Sequence, residues 1–178
     1  MDKKTQAVLD KYSAPFVQLV LDQDQESPVF ETLSQIKVVF EETGLNAYLG
    51  HIGVSQTDKE AALRRFQPTG SHLIDNLLEV VILNQREDLF LAIVEESLVR
   101  LEKLTNEFEV TLSSSQPLSE AQKERLRPLL EQKMGLKVRS FKEVVDPSLI
   151  GGFVITANHK TIDASIKRQL QAVKENLK

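Results

Sequence analysis

The hydrophobic pattern of the chain changes its period near residue 106, and this change constrains the fold more than any other feature. Before it, apolar residues recur every three or four positions, which is the spacing of helix faces. After it, Phe108, Val110 and Leu112 alternate with polar residues, which indicates a half-buried strand. We therefore predict a mainly α protein, with a six-helix bundle over residues 1–105 followed by a small α/β domain over residues 106–178.

The N-terminal part contains about six helical segments joined by short loops, which is the pattern of a helix bundle. The second segment is expected to begin at Ser27-Pro28, and a capping box at Thr57–Glu60 opens a later one. Pro15 lies inside the first segment, so we expect a kinked helix there. The apolar faces predicted for these first two segments are Val8, Tyr12, Phe16 and Leu19, and Val29, Leu33, Ile36 and Phe40.

The helix predicted from Ser71 to Leu83 is apolar over a wider arc than packing on one side requires. An arc of this width indicates burial on more than one side. The next helix, about Glu87 to Thr105, has Glu87 and Asp88 at its positive N-terminal end. The apolar residues of the wide arc are Leu73, Ile74, Leu77, Leu78, Val81 and Ile82.

The C-terminal part is predicted to combine helices and strands. A capping box at Ser119–Gln122 opens a helix that ends near Gly135, and Leu136–Val138 and Gly152–Thr156 are predicted strands. The last helix, about Thr161 to Asn176, has the cleanest apolar stripe in the chain and is expected to cover the sheet. That stripe consists of Ile162, Ile166, Leu170, Val173 and Leu177.

Composition and charge exclude several classes of protein. The chain has no cysteine, so it can form neither a disulfide nor a thiolate-ligated zinc site. The longest nearly continuous apolar run, Leu77–Leu83, is far shorter than the roughly 20 residues of a membrane-spanning helix. Residues 1–105 carry 10 basic and 17 acidic residues, whereas residues 106–178 carry 12 and 9. This asymmetry fits two different partners or an ordinary imbalance between domains, and it lacks the dense basic stripe of a nucleic-acid-binding protein.

No residue pattern typical of catalysis or metal binding is present in the sequence. His51, His72 and His159 have no partner at ligand spacing, and the glycines match neither a phosphate-binding loop nor a dinucleotide fingerprint. The adjacent acids Glu41-Glu42 and Glu95-Glu96 point about 100° apart on helices, so neither pair can act on one bond. We expect no catalytic, metal-binding or cofactor-binding residue and no cofactor. A small hydrolase or transferase whose triad forms only in space remains an alternative.

One run in the C-terminal part goes beyond ordinary secondary structure. Its Asp-Pro-Ser segment is a turn, and the paired glycines that follow imply a close backbone approach or positive φ angles. Taken alone, the run is most simply interpreted as a turn into a strand. The run consists of Asp146, Pro147, Ser148, Leu149, Ile150, Gly151 and Gly152, and Asp163 and Ser165 follow shortly after it.

These residues carry a resemblance to a known family. Val145–Ile155 followed by Ile162–Leu170 is similar to the C-terminal signature of the delta subunit of bacterial ATP synthases and of its mitochondrial relative, the oligomycin-sensitivity-conferring protein. Ser114–Ser119 resembles the family's entry to a helix, Ile82–Leu89 resembles its helix junction, and Tyr12–Phe16 is a weaker match. The motifs lie in both parts of the chain.

The resemblance implies a non-catalytic stator subunit in the peripheral stalk of the proton-translocating ATP synthase, linking the catalytic head to the membrane sector. Such a subunit lies on the cytoplasmic face of the cell membrane through the complex, without inserting into the bilayer. A generic helical adaptor with an unrelated partner is the alternative, but it leaves the signature unexplained.

The resemblance also implies two partners. The N-terminal bundle would hold the amphipathic N-terminal helix of an alpha subunit in a groove between its first and fifth helices. The C-terminal domain would hold the C-terminal end of the b subunits. The wide apolar arc at residues 73–82 fits such a helix-binding groove. The residues expected along it are Tyr12, Ala14, Phe16, Leu77, Leu78, Val81 and Ile82.

Overall fold

The computed structural model describes residues 3–176 and divides the chain into two compact units, one ending at Glu102 and the other beginning at Lys103. The described residues are mainly helical, with one small sheet of four strands. The expectation of a mainly α protein with a small α/β part is therefore confirmed. Within residues 3–176, none of the helices combines the length and the apolar character needed to span a membrane.

The first unit is built from helices whose inner faces share one core. Phe40 lies at the centre of this core, with its ring stacked on Phe66 at 5.5 Å and tilted against Phe90 at 5.7 Å. A 3₁₀ turn at Glu87–Leu89 precedes the last helix. The helices are α1 (Lys3–Asp22), α2 (Glu26–Thr43), α3 (Leu45–Gly50), α4 (Gln56–Arg64), α5 (His72–Leu83) and α6 (Phe90–Thr105).

The apolar face of α2 is confirmed, because all four of its predicted residues are buried. The face predicted for α1 is wrong by about one position. Its buried residues are Leu9, Ser13, Phe16, Val17 and Val20, whereas Leu19 is about half-exposed at 49%. The cause is that α1 carries two neighbouring apolar stripes, and spacing alone does not tell which one faces the core.

Two predicted helix starts are corrected, and Glu87, which lies at the predicted N-terminal end, also makes a contact that the sequence did not predict. Helix α2 begins at Glu26, before Ser27, and its N-cap makes no side-chain hydrogen bond. Helix α4 is capped by Ser55, which accepts a hydrogen bond from the Asp58 amide at 3.2 Å, so the cap lies two residues before Thr57. Glu87 is buried and its carboxylate accepts a 2.6 Å hydrogen bond from the Gln56 side chain, which ties the start of α4 to the 3₁₀ turn.

The elements of the second unit are β1 (Glu107–Ser114), α7 (Glu120–Met134), β2 (Lys137–Val145), β3 (Phe153–Ala157), β4 (Lys160–Asp163) and α8 (Ile166–Asn176). The strands form a mixed sheet with strand order β2-β1-β3-β4. Strand β1 pairs in parallel with β2 and antiparallel with β3, and β3 pairs antiparallel with β4. Side chains from α7, among them Leu130 and Met134, complete the core against the sheet.

The ends of α7 are confirmed in detail. Ser119 and Gln122 form the capping box, in which the Ser119 hydroxyl accepts from the Gln122 amide and the Gln122 side chain accepts from the Ser119 amide at 2.8 Å. Gly135 ends the helix in the left-handed region at φ 68°. Both ends follow from local hydrogen bonding, which is why the sequence alone predicts them.

The prediction for the last helix is wrong in two respects. Residues 160–163 form β4, so α8 begins only at Ile166, and the helix does not cover the sheet. Ile166, Leu170 and Val173 are 41%, 61% and 56% exposed. The core of the sheet is instead completed by α7, and Ile166, Leu170 and Val173 do not belong to that core. Leu177, the last residue of the predicted stripe, lies outside the described residues.

Candidate partner-binding surfaces

A largely apolar groove with a volume of about 180 Å³ lies between α1 and α5 in the first unit. The lining residues recur at intervals of three and four along both helices, so each helix presents one face to the groove. Lys11 and Asn76 add polar groups to walls that are otherwise apolar or aromatic. The residues lining the groove are Lys11, Tyr12, Pro15, Phe16, Leu19, Leu73, Asn76, Leu77 and Val80.

The structure places the predicted groove residues in three different environments. Tyr12, Phe16 and Leu77 lie on the groove walls. Ala14 is exposed and does not line the groove. The remaining three residues are at most 2% exposed and belong to the core of the first unit, namely Leu78, Val81 and Ile82.

Sequence reasoning did not assign the most exposed apolar positions of the groove. Leu19 on α1 is 49% exposed and Val80 on α5 is 45% exposed. Such exposure is high for large aliphatic side chains. Leu19 was assigned to the core face of α1, and Val80 lies outside the wide arc predicted for α5. The available signal was the second apolar stripe on α1, which is offset by about one residue from the stripe that packs in the core.

Pro15 lines this groove and does not interrupt α1. Helix α1 continues through Pro15 from Lys3 to Asp22, and the exposed proline ring lines the groove. Proline has no backbone N–H, so it cannot donate the hydrogen bond that the carbonyl of Lys11 would otherwise accept. The groove therefore gains an apolar ring at the cost of one helical hydrogen bond.

The signature residues of the second unit form two turns of the same kind. The Asp146 carboxylate accepts a hydrogen bond from the Ser148 amide at 2.9 Å, and the Asp163 carboxylate accepts one from the Ser165 amide at 2.9 Å. Hydrogen bonds from the side chain and backbone of Ser148 lower the pKa of Asp146, and those from Ser165 lower the pKa of Asp163. Both turns are the local aspartate turns expected of Asp-x-Ser segments.

The paired glycines bring the signature run against the second of these turns. Gly152 has a φ of +78°, and a Cβ atom there would lie 2.4 Å from the carbonyl oxygen of Ala164. A Cβ atom on Gly151 would lie 2.6 Å from Cδ1 of Ile166. Both the close approach and the positive φ expected from the sequence are therefore present. In the same run Leu149 is half-buried, whereas Pro147 and Ile150 are exposed.

The three histidines are exposed, and none of the described residues forms a cluster of three or more His, Cys, Asp or Glu side chains able to hold a metal ion. Two features lie where the sequence predicted partner contacts, namely the apolar groove in the first unit and the glycine-rich turn with an exposed amphipathic helix in the second. These are features of surfaces that bind other chains.

Comparison with known proteins identifies the family of the chain. The family model described as ATP synthase delta (OSCP) subunit matches residues 8–177. Over its full 178 residues the chain is 65% identical to the ATP synthase subunit delta of Streptococcus sanguinis strain SK36 and 60% identical to that of Streptococcus gordonii strain Challis, and it covers the whole of both.

The fold is also similar to that of a known structure. It matches a chain of the mitochondrial ATP synthase hexamer of Toxoplasma gondii, solved by cryo-electron microscopy, with a TM-score of 0.63 and 16% identity over 95% of this chain and 96% of that one. This similarity concerns the fold alone, whereas the family model and the bacterial relatives cover nearly the entire sequence. The chain belongs to the ATP synthase delta (OSCP) subunit family.

Proposed function

We propose that this chain connects the catalytic head of the ATP synthase to its peripheral stalk through two separate helix-binding surfaces, one in each unit. Membership of the delta family makes it a non-catalytic stalk subunit of the ATP synthase, which favours this function over a generic adaptor or a small hydrolase. The proposal adds the surface that each partner occupies. It also places the chain at the cytoplasmic face of the cell membrane, held there through the complex.

The observation that carries the proposal is the groove between α1 and α5. We assign it to the amphipathic N-terminal helix of an alpha subunit, with α1–α6 acting as the six-helix bundle of the family. Leu19 and Val80 supply half-exposed apolar surface on the two helices that form the groove, and Tyr12 and Phe16 add aromatic surface. An amphipathic helix placed there would remove the exposed parts of Leu19 and Val80 from water, each worth about 1 kcal/mol, whereas Phe16 is already buried in the core.

We assign the C-terminal end of the b subunits to the apolar face of α8. Ile166, Leu170 and Val173 are spaced by four and three residues, so they form one stripe along this helix, and all three are exposed. The helix also carries Lys167, Arg168 and Lys174. These features fit a partner helix with an apolar stripe flanked by acidic residues.

The groove assignment is tested by isothermal titration calorimetry of the full chain with a synthetic peptide of the alpha N-terminus. We expect the variant Leu19→Asp with Val80→Asp to bind about 100-fold more weakly, because burial of the partner helix would desolvate two carboxylates. Circular dichroism would establish that the variant is folded.

A matched control is available in the same unit. Ile52 is fully exposed and does not line the groove, so Ile52→Asp should leave the affinity unchanged. Equal losses for Ile52→Asp and the groove variant would rule out the groove, as would a folded wild-type chain that does not bind the peptide. Recovery of partners unrelated to the ATP synthase in a pull-down from native membranes, without its other subunits, would favour the generic adaptor instead.

A further inference from the structure

The described side chains of α8 pack little against their own unit, and the contact of Ile166 with Gly151 lies at the first residue of the helix. None of the α8 side chains that the structure describes is buried, in contrast to α7 of the same unit, which buries Leu130 and Met134. A helix of 11 residues is marginally stable in water when nothing packs against it. The direction of α8 must therefore be fixed at its N-terminal end, where the chain leaves the sheet.

Backbone hydrogen bonds join this end of the helix to the signature run. The Ala164 amide donates to the Phe153 carbonyl at 2.9 Å, and the Ile166 amide donates to the Gly151 carbonyl at 3.0 Å. The two bonds lie on either side of Ser165, the residue before α8, and extend the pairing of β3 and β4 to the helix start. They depend on main-chain atoms lying close together, which leaves no room for a side chain between them.

The side chains around the helix start complete its hydrogen bonding. The Asp163 carboxylate accepts from the Ser165 amide, and the buried Ser165 hydroxyl accepts from the Arg168 amide at 3.2 Å. Ser165 is thus the N-cap of α8, and Asp163 fixes the conformation of the cap itself. Without the Ser165 hydroxyl, the Arg168 amide in the first turn of α8 would lose this hydrogen bond, and the first amides of a helix have no partner within the helix itself.

Gly152 permits this arrangement because it has no side chain. The Cβ atom of any other residue would lie 2.4 Å from the Ala164 carbonyl oxygen and 2.9 Å from the Cα of Ser165. Both of these are main-chain atoms, so the helix start itself would have to move. At Gly151 a Cβ atom would meet only the flexible end of the Ile166 side chain, so substitution there is expected to be milder.

We propose that Gly151, Gly152, Asp163 and Ser165 form a latch that fixes the direction in which α8 leaves the sheet, and that this direction sets the affinity for the b subunits. The latch residues are positioning residues, because they act through α8 rather than by contacting the partner. The inference rests on the proposed binding of the b subunits to α8. It gives the family signature of this chain a specific mechanical role.

The direction of α8 can be measured directly because the chain has no cysteine. Spin labels at Glu109→Cys on β1 and Gln171→Cys on α8, both exposed positions, report the distance between the sheet and the helix by pulsed electron resonance. We expect one narrow distance distribution in the otherwise unchanged chain. Gly152→Ala should broaden or shift it.

Gly135→Ala is the matched control for this measurement. Gly135 also has a positive φ, at 68°, but a Cβ atom there would meet nothing within 4 Å. The two variants therefore share the cost of a left-handed residue and differ in the clash with the helix start. A distribution for Gly152→Ala as narrow and at the same distance as that for Gly135→Ala would overturn the latch.

A second pair of variants applies if Gly152→Ala does not fold. Ser165→Ala removes the N-cap hydroxyl, whereas Ser165→Thr retains it. We expect Ser165→Ala to broaden the distance distribution and Ser165→Thr to restore a narrow one. Identical broadening in both variants would show that the hydroxyl does not fix the helix.

Binding of a peptide from the C-terminus of the b subunit connects the latch to the proposed function. We expect Ser165→Ala to lower the affinity about tenfold, because the binding surface is no longer preorganised, and Ser165→Thr to restore it. Equal affinities of the wild type and Ser165→Ala, despite a broadened distance distribution, would overturn the positioning role. Failure of the folded wild-type chain to bind the peptide at all would instead overturn the proposed partner.

Discussion

The two units hold their proposed partner-binding helices in different ways. In the first unit, α1 and α5 each bury one face in the core and present a neighbouring face to the groove, so the packing of the core also shapes the groove. In the second unit, α8 buries none of its described side chains, and its start is joined to the sheet by main-chain hydrogen bonds. One surface therefore depends on side-chain packing and the other on the backbone of a turn.

The largest effect is expected from truncating the centre of the first core. Phe40→Ala should lower the free energy of unfolding of the first unit by about 3–5 kcal/mol, because it removes a fully buried ring that stacks on Phe66 and is tilted against Phe90. Chemical denaturation followed by nuclear magnetic resonance would resolve the two units. The matched change Phe141→Ala, at a half-buried ring of the second unit, should cost clearly less. Equal losses would contradict the difference in packing.

A smaller effect is expected from removing the cap of α7. Ser119→Ala should lower the free energy of unfolding of the second unit by about 1 kcal/mol, since one half of the capping box is lost. Ser119→Thr retains the hydroxyl and serves as the control. The same denaturation measurement applies, and a loss as large as that of Phe40→Ala would show that α7 is held by its cap rather than by the core.

Acid should destabilise the second unit more than the first. Hydrogen bonds lower the pKa of Glu79 in the first unit, where the Arg64 side chain is the main donor. Among the described residues of the second unit, hydrogen bonds lower the pKa of four acids, which are Glu124, Glu143, Asp146 and Asp163. Their main donors are the Arg127 side chain, the Leu118 amide, and the serines that follow each aspartate.

The direction of the pH effect follows from these lowered pKa values. A carboxylate with a lower pKa in the folded chain stabilises the fold fully above its unfolded pKa of about 4, and this stability is lost as the pH falls through the folded pKa. Because all five carboxylates lie at the surface, we expect a modest loss between about pH 5 and about pH 3. Melting followed by amide resonances of both units would measure it. A larger loss in the first unit would contradict the prediction.

The smallest effect on stability is expected in α8. Leu170→Ala removes a side chain that is 61% exposed, so it should change the free energy of unfolding by less than about 0.5 kcal/mol. It should nevertheless weaken binding of the b-subunit peptide, measured by calorimetry. A loss of several kcal/mol in stability would mean that α8 packs in the isolated chain, which would remove the contrast between the units.

The sequence predicts those elements whose ends and faces are set locally. The capping box at Ser119, the glycine that ends α7 and the apolar face of α2 need only residues three or four positions apart. The close approach at Gly152 was also predictable, because paired glycines usually occur where the backbone passes close to another segment or adopts a positive φ. The residue that Gly152 meets, Ala164, was not predictable, since the contact depends on the pairing of β3 with β4.

The remaining errors arise where tertiary contacts decide between equal local patterns. Ile162 continues the stripe of α8 at helical spacing, yet pairing with Ile155 of β3 makes it part of a strand. Leu19 and Val20 are equally apolar, and only the packed core shows that Val20 is buried and Leu19 lines the groove. The family resemblance implied a groove between the first and fifth helices, and one is present there, but several of its wall residues could not be identified from the sequence.

The most direct test of two separate surfaces is a crossed binding measurement by calorimetry on the full chain. The groove variant, Leu19→Asp with Val80→Asp, and the helix variant Leu170→Asp are each titrated with the alpha N-terminal peptide and with the b C-terminal peptide. Two independent surfaces predict that the groove variant loses the alpha peptide and keeps the b peptide, and that Leu170→Asp does the reverse. Loss of both peptides from either folded variant would contradict the account.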